Sequence, residues 1–149
     1  MIRPASEKDA PRIAEISVFA KRVNYRSIFQ NDKVSFGEMQ VYPLAKEYLE
    51  NPAKLDGIYV YDDEFVKGFV SIDGAQIKEL YVEPLMENQG IGGKLLDFAC
   101  AQGAMRLWCL EKNAKARRFY EKRGFFDFGE RRVENGEGEI LMEKPKEAR

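Results

Sequence analysis

Histidine is absent from the 149 residues of this chain. Without an imidazole, catalysis by a Ser-His or Cys-His pair is excluded, and a site for a transition metal is not expected. We therefore predict that no metal takes part in the function. A general base, if the protein needs one, must be a carboxylate, a tyrosine or a water molecule.

Cysteine, net charge and long apolar segments are also scarce. The two cysteines, Cys100 and Cys109, are too few for a disulfide scaffold, and we expect both to be core thiols. The 24 basic and 25 acidic residues leave a net charge of −1, which gives no electrostatic reason to expect nucleic acid or an anionic membrane as partner. No apolar run approaches the ~20 residues of a membrane span, and the polar first residues lack the apolar core of a signal peptide. The sequence therefore predicts a cytosolic protein.

The composition is typical of a globular domain. Hydrophobic residues make up 44% of the chain and aromatic residues 12%, which is enough to bury a core. The sequence contains no internal repeat, no low-complexity segment and no linker long enough to divide it. We therefore predict one domain that spans residues 1–149.

The first half of the chain predicts helices followed by a meander of hairpins. Apolar residues at helical spacing follow a capping sequence at Ser6 and Asp9, and a weaker helical pattern from Gly37 to Leu49 is bent near Pro43. The predicted strands are residues 2–5, Gly57–Tyr61, Phe65–Ile72 and Ile77–Val82, with turns at Asp62–Asp63 and Asp73–Gly74.

The second half predicts alternating strands and helices. Helices are expected from Gly90 to Gly103 and from Ala114 to Lys122, the second ending at Gly124. The predicted strands are Met105–Leu110, Phe125–Arg132 and Gly138–Glu143, with a turn at Asn135–Gly136. The function is expected where a strand runs into a helix near the middle of the sheet.

The stretch from Tyr81 to Leu96 carries the strongest functional signal. It passes from a strand into a helix whose first turn holds Gly90, Gly92 and Gly93. Glycine lets the backbone approach a ligand closely, and the unpaired N–H groups of a helix start attract phosphate. A P-loop needs Ser or Thr, and a dinucleotide fingerprint needs Gly or Ala, at the position that Leu95 occupies. Neither motif therefore fits.

Two motifs resemble the GCN5-related N-acetyltransferase (GNAT) superfamily. Val82-Glu83-Pro84 followed by Gly90-Ile91-Gly92 is similar to the family pattern Val-x-Pro with Gln/Arg-x-x-Gly-x-Gly/Ala. The stretch from Asn113 to Phe125 has every fixed position of the second family motif, Asn-x-x-Ala-x-x-Phe-Tyr-x-x-x-Gly-Phe. The resemblance implies an α/β (α+β) fold with a mixed, mostly antiparallel sheet flanked by helices in a single domain. It also implies an N-acetyltransferase that uses acetyl-CoA.

The resemblance implies roles for particular residues. Acetyl transfer from a thioester to an amine passes through a tetrahedral intermediate and expels a thiolate, which a nearby acid can protonate. The family pattern makes Tyr120 that acid and gives Asn113 a hydrogen bond to the pantetheine arm. The implied cofactor-binding residues are Tyr81, Val82, Glu87, Asn88, Gln89, Gly90, Ile91, Gly92, Gly93, Lys94, Asn113, Ala116, Phe119 and Tyr120.

Glu87 departs from the family pattern, because it stands where the motif has Gln or Arg. A carboxylate beside a pyrophosphate would be repelled by it. Family members hold the pyrophosphate mainly through backbone amides, which any residue supplies. We therefore expect the Glu87 side chain to point away from the cofactor, and Glu87→Gln to bind acetyl-CoA at least as well.

The sequence gives weaker evidence for the general base and for the acceptor pocket. An amine acceptor is protonated at pH 7, so a base must remove that proton, directly or through water. Glu79 is the first candidate, because some family members use a glutamate on this strand, although a surface or salt-bridged role is the common one for such a residue. The acceptor pocket is expected between the first two helices, with Tyr25, Arg26 and Phe29 as candidates. Phe36 and Tyr42 complete this aromatic group.

Three functions remain open at this point. The first is an enzyme acting on a small-molecule or peptide amine, the second is a non-catalytic acyl-CoA sensor of the same fold, and the third is a nucleotide-phosphate-binding domain. The motif residues Tyr120 and Asn113 favour the enzyme. The acceptor, the acyl chain length and the oligomeric state stay open, although the two terminal strands could pair between subunits in a homodimer.

Overall fold

A twisted sheet with helices on both faces forms the frame of the molecule. The computed structural model describes residues 1–30, 32, 40–134 and 136–145. Among these residues, seven strands form one sheet in the order β1-β2-β3-β4-β5-β7-β6. The strands are β1 (Ile2–Pro4), β2 (Ile58–Asp63), β3 (Phe65–Asp73), β4 (Gln76–Val82), β5 (Arg106–Leu110), β6 (Phe126–Glu134) and β7 (Glu137–Glu143).

Every neighbouring pair of strands is antiparallel except β4 and β5, which are parallel. The helices are α1 (Ala10–Phe29), α2 (Val41–Glu50), α3 (Ile91–Ala101) and α4 (Ala114–Glu121). A parallel pair needs a crossover connection, and α3 supplies it between β4 and β5. The predicted fold class, a mixed and mostly antiparallel sheet flanked by helices, is confirmed.

Two local predictions were wrong. Asp62–Asp63 is not a turn, because β2 continues to Asp63 and the chain reverses at Glu64, whose φ is 68°. Pro43 does not bend α2, since it lies in the first turn, where no intrahelical N–H is lost. The expected start of this helix at Gly37, like Phe36 and the turn residue Asn135, lies outside the described residues.

The sheet separates two apolar clusters. On one face, α1 packs Ile13 and Ile16, both fully buried, against the strands. On the other face, α3 packs Leu95 and Leu96 in the same way. Burying such a side chain contributes about 1.5–3 kcal/mol, so both helices are held firmly on the sheet. Across the part of the chain described here, no helix has both the length and the apolar character needed to cross a bilayer.

The sheet is split in its middle. Strands β4 and β5 pair only at Gln76 with Arg106 and at Ile77 with Leu107. Beyond these pairs, β5 keeps its partner β7 as far as Leu110. The later residues of β4 and β5 therefore leave a gap, and the loop from β4 into α3 begins at its edge.

Candidate functional site

A cavity of about 450 Å³ occupies the gap between β4 and β5. Its walls come from both sides of the sheet, with α3 and α4 on one side and α1 on the other. Of the residues predicted from the sequence, those that line it are Tyr25, Tyr81, Val82, Glu87, Asn88, Gly90, Ile91, Gly92, Gly93, Asn113, Ala116, Phe119 and Tyr120.

The glycine turn presents a helix start to this cavity. Gly90 precedes α3 with φ 81°, a left-handed conformation that glycine adopts without strain. The first intrahelical bond is donated by the N–H of Lys94 to the carbonyl of Gly90, at 3.1 Å. The N–H groups of residues 91–93 are left without an intrahelical acceptor, as at any helix start. The space beside Gly90 is open, since a Cβ there would meet nothing within 4 Å. The turn can therefore accept an anion.

Gly93 makes room for Arg123, which the sequence did not single out. A Cβ on Gly93 would lie 2.1 Å from an Nη atom of Arg123. The guanidinium also stacks on the ring of Phe119, 5.4 Å from its centroid. Glycine at this position thus lets a cation lie against the first turn of α3. The arrangement adds positive charge to an already electropositive helix start.

Glu87, in the loop between β4 and α3, pairs with a lysine on α4. The Nζ atom of Lys115, in the first turn of α4, donates to a carboxylate oxygen of Glu87. Both residues line the cavity. The charge of Glu87 is therefore partly neutralised where it meets the cavity.

Helix α4 begins at Asn113 and carries Tyr120 into the cavity. The Oδ1 atom of Asn113 accepts a hydrogen bond from the N–H of Ala116 at 3.2 Å, so the side chain caps the helix. Its amide NH₂ is a further donor. The Tyr120 ring contacts Phe119 and Phe125 edge to face, at centroid distances of 5.1 and 6.0 Å. Capping and aromatic packing together fix the position of Tyr120.

Burial keeps the Tyr120 hydroxyl protonated, because it raises the pKa of that group well above its ordinary value. In water a phenol, with a pKa near 10, would give its proton to a thiolate of pKa near 8.5 only against an energy difference of about 2 kcal/mol. Burial raises thiol pKa values as well as those of phenols, so a thiolate formed in the cavity also becomes a stronger proton acceptor. The Cys109 thiol, which lines the same cavity, has its pKa raised to about 12.

The opposite wall carries a pair of tyrosine hydroxyls. The oxygens of Tyr25 on α1 and Tyr81 on β4 lie 3.3 Å apart, and one hydroxyl donates to the other. Burial raises the pKa of Tyr25 to about 12 and that of Tyr81 well above its usual value. Both groups stay protonated near pH 7, so they are hydrogen-bond partners rather than bases. Beside them, the amide of Asn24 donates to the carbonyl of Ala20 at 2.8 Å.

Several predicted site residues lie elsewhere. Glu79 does not line the cavity, and its carboxylate lies 3.4 Å from the ammonium of Lys21. Arg26 lies on the outer surface of α1, where its Nε pairs with Asp32 at 3.0 Å. Gln89 and Lys94 are exposed outside the cavity, and the side chain of Phe29 lies outside the described residues. Tyr42 is 77% exposed and forms no pocket wall.

A buried ion pair ties α1 to the start of the cofactor loop. The Nη1 atom of Arg12 donates to Glu83 at 2.9 Å, and its Nε donates to the carbonyl of Val66 at 2.8 Å. Glu83, which lies between Val82 and Pro84, is only 6% exposed. Since a buried charge is costly unless it is paired, this contact fixes where the loop leaves the sheet.

The sequence missed several lining residues. Lys115 could have been found, because it lies four positions before the motif residue Phe119 and so shares its face of α4. Arg123 lies beyond the end of α4 and could not be placed in this way. The others come from separate elements and carry no local signal: Ala20, Asn24, Leu80, Met86, Trp108, Cys109 and Leu110. Among the described residues, no group of three or more His, Cys, Asp or Glu side chains is placed to hold a metal.

Comparisons with known proteins agree with this geometry. A family model described as an acetyltransferase (GNAT) domain matches residues 54–126. A probable N-acetyltransferase of Mycobacterium tuberculosis (strain ATCC 25618 / H37Rv) is 50% identical over 56 residues, which make up 36% of this chain. The matched stretch spans 32% of that relative's length.

Solved structures show the same fold. PaiA N-acetyltransferase from Thermoplasma acidophilum, in complex with coenzyme A, is 20% identical with a TM-score of 0.68, over 96% of this chain and 98% of that one. An N-acetyltransferase from Staphylococcus aureus Mu50 is 17% identical with a TM-score of 0.77, over 95% and 98%. The match to a GNAT acetyltransferase domain therefore extends over residues 54–126, and the solved N-acetyltransferases share the fold over nearly the whole chain.

Proposed function

We propose that this protein is an enzyme that transfers the acetyl group of acetyl-CoA to a primary amine by direct attack. The observation that carries the proposal is a single cavity that joins the glycine turn to Tyr120 and to the paired hydroxyls of Tyr25 and Tyr81. The names of the relatives support it, as does the coenzyme A in the Thermoplasma acidophilum protein.

The residues present fit acetyl-CoA. The N–H groups at the start of α3 and the nearby cations Lys115 and Arg123 suit its phosphates. The gap between β4 and β5 suits a narrow arm, and the amide of Asn113 can donate to it. When bound, the cofactor supplies a thioester, whose carbon is open to a nucleophile.

The chain's own residues then donate and accept the protons of the reaction. The amine would form the new C–N bond first, to give a tetrahedral intermediate. When the C–S bond then breaks, Tyr120 would give its proton to the departing sulfur. The amine must lose a proton, and we propose that Glu79 receives it through water, because the carboxylate does not line the cavity itself. Tyr25 and Tyr81 orient the acceptor, which we take to be a small-molecule or peptide amine.

The test is thiol release from acetyl-CoA measured against a panel of primary amines, together with calorimetry using acetyl-CoA, ATP and NAD. We expect selective binding of acetyl-CoA and amine-dependent thiol release. Binding of acetyl-CoA without turnover on any amine would indicate an acyl-CoA sensor. Preferential binding of ATP or NAD would indicate a nucleotide-binding domain and would contradict the proposal.

We also propose a homodimer, formed through the terminal strands. Strand β6 lies at the edge of the sheet and exposes Phe126, Phe128 and Val133. An exposed edge strand with apolar side chains can pair with a second copy. Sedimentation of the wild type and of Phe128→Lys tests this, and a wild-type monomer at all concentrations would contradict it.

A further inference from the structure

The ion pair between Glu87 and Lys115 lies at the cavity and joins two chain segments. Glu87 follows the short turn after β4, and Lys115 lies in the first turn of α4. Both line the cavity in which the proposed cofactor would bind. A phosphate that enters here meets the two charges of this pair.

The exposure of this ion pair allows the ammonium of Lys115 to leave Glu87 for another anion. The side chain of Lys115 is 61% exposed and that of Glu87 is 26% exposed. Such a solvent-accessible ion pair contributes little to stability, because water screens it. A phosphate at the start of α3 also benefits from the unpaired N–H groups there, so it can compete for the ammonium of Lys115.

A second cation lies just beyond the end of α4. The guanidinium of Arg123 stacks on the ring of Phe119 and fills the space left by the missing Cβ of Gly93. Arg123 pairs with Asp97 at 3.4 Å, as Lys115 pairs with Glu87. Because both ion pairs are accessible to solvent, both cations can also contact a phosphate bound at the electropositive start of α3.

We propose that Lys115 binds a phosphate of acetyl-CoA and that Glu87 is its counter-ion in the cofactor-free protein. This inference rests on the proposed function. The ion pair opens when the cofactor binds, and the ammonium passes from the carboxylate to the phosphate. Glu87 thus holds the cation in place and at the same time competes with the cofactor for it.

This exchange predicts opposite signs for two conservative substitutions. Lys115→Gln removes a phosphate ligand and should raise the Kd of coenzyme A about fivefold, the size of one partly exposed charge contact. Glu87→Gln removes the competitor and should lower that Kd about threefold. If the ion pair only braced the loop, both substitutions would break the same brace, and both would weaken binding.

The experiment is calorimetry with coenzyme A and with pantetheine, which lacks the phosphates, on the wild type and the two variants. Arg118→Gln is the matched control, since Arg118 lies on α4 but outside the cavity and is exposed. We expect the two opposite shifts for coenzyme A, no shift for pantetheine, and no shift for the control. Thermal unfolding of the free variants checks that each is folded.

Three results would overturn the inference. The first is an unchanged affinity for coenzyme A in Lys115→Gln, and the second is an equal loss of affinity for coenzyme A and pantetheine in that variant. The third is weaker binding of coenzyme A by Glu87→Gln. Failure of the proposed function is separate, because it would show as absent turnover on every amine while these affinity shifts remain. A wild type that does not bind coenzyme A would overturn both.

Discussion

The two walls of the cavity are built in different ways. The wall of α3 and α4 uses backbone N–H groups at the glycine turn and a helix cap at Asn113, within two short stretches of sequence. The wall of α1 brings Asn24 and Tyr25 against Tyr81, which lies 56 positions from Tyr25 in the chain. One wall is defined by local backbone geometry and the other by contacts between distant side chains.

This difference separates binding from selectivity. A backbone-defined site tolerates few changes, since glycine and the capping residue are required by the conformation itself. A wall of side chains can change its chemistry without moving the backbone. We therefore expect cofactor binding to respond to changes in the wall of α3 and α4, and acceptor choice to changes in the wall of α1.

The largest effect is expected from Tyr120→Phe, on the wall of α3 and α4. Removing the proposed acid should lower kcat by about 100-fold, while the Kd of acetyl-CoA stays unchanged because the ring is retained. Steady-state kinetics and calorimetry measure the two quantities. Tyr42→Phe, an exposed tyrosine outside the cavity, is the control. Unchanged turnover in Tyr120→Phe would remove this residue from its role.

The second-largest effect is expected from breaking the ion pair between Arg12 on α1 and Glu83 after β4. Glu83→Ala removes the buried carboxylate that Arg12 contacts, and losing a hydrogen bond to a charged group typically costs about 1.5–3 kcal/mol of the free energy of unfolding. Denaturant unfolding measures this cost. Arg12 also contacts Glu15, which is exposed, so Glu15→Ala is the matched control and should cost under about 1 kcal/mol. Equal losses of stability in both variants would mean that the contact with Glu83 stabilises the fold no more than the exposed contact with Glu15 does.

A smaller effect is expected on the α1 side. Glu79→Gln should lower kcat/KM for the amine by about tenfold if the carboxylate receives the amine proton, with the Kd of acetyl-CoA unchanged. Kinetics at saturating acetyl-CoA measure this. Lys21→Met removes the ion-pair partner of Glu79 and separates the proton-acceptor role from the loss of the pair. If both variants lose the same activity, the ion pair between Glu79 and Lys21 matters for activity, and Glu79 does not accept the amine proton.

The smallest effect of all is expected on the Tyr120 acid when the pH is raised. Burial raises the pKa of Tyr120, so the acid stays protonated as the amine loses its proton. The rate should therefore rise with pH toward the amine pKa near 10.4 without a falling limb below about pH 10. The dependence of kcat/KM on pH measures this. A fall with a midpoint near pH 8 would place the essential acid elsewhere.

Much of the fold and of the wall of α3 and α4 could be predicted from the sequence. Period-two and helical patterns located most strands and helices, because those patterns follow directly from the backbone repeat. Gly90 and Asn113 could be placed because they are fixed positions of the two family motifs. The helix cap that Asn113 forms was not predicted. The turn at Asp62–Asp63 was misplaced because aspartate favours turns generally, whereas Glu64 is an unusual residue for a left-handed conformation.

The wall of α1 could not be predicted in the same way. Arg26 lies one position after Tyr25, but one step along a helix rotates a side chain by about 100°, and it lies on the outer surface beside Asp32. Trp108 enters the cavity because β5 departs from β4, and no short stretch of sequence records that departure. Contacts between distant elements depend on the packed structure.

The short joint between β4 and β5 has a consequence for the stability of the protein. In the described part of the chain, two residue pairs are the only ladder contacts between the sheet of β1–β4 and the sheet of β5–β7. A ligand bound in the gap would contact both β4 and β5 and would add to the few contacts between these two strands. Ligand at about 100 times its Kd would raise the free energy of unfolding by about 2.7 kcal/mol, and hydrogen exchange along β5 should slow in step. The co-substrate would then also have a structural role, because it would connect strands β1–β4 to strands β5–β7.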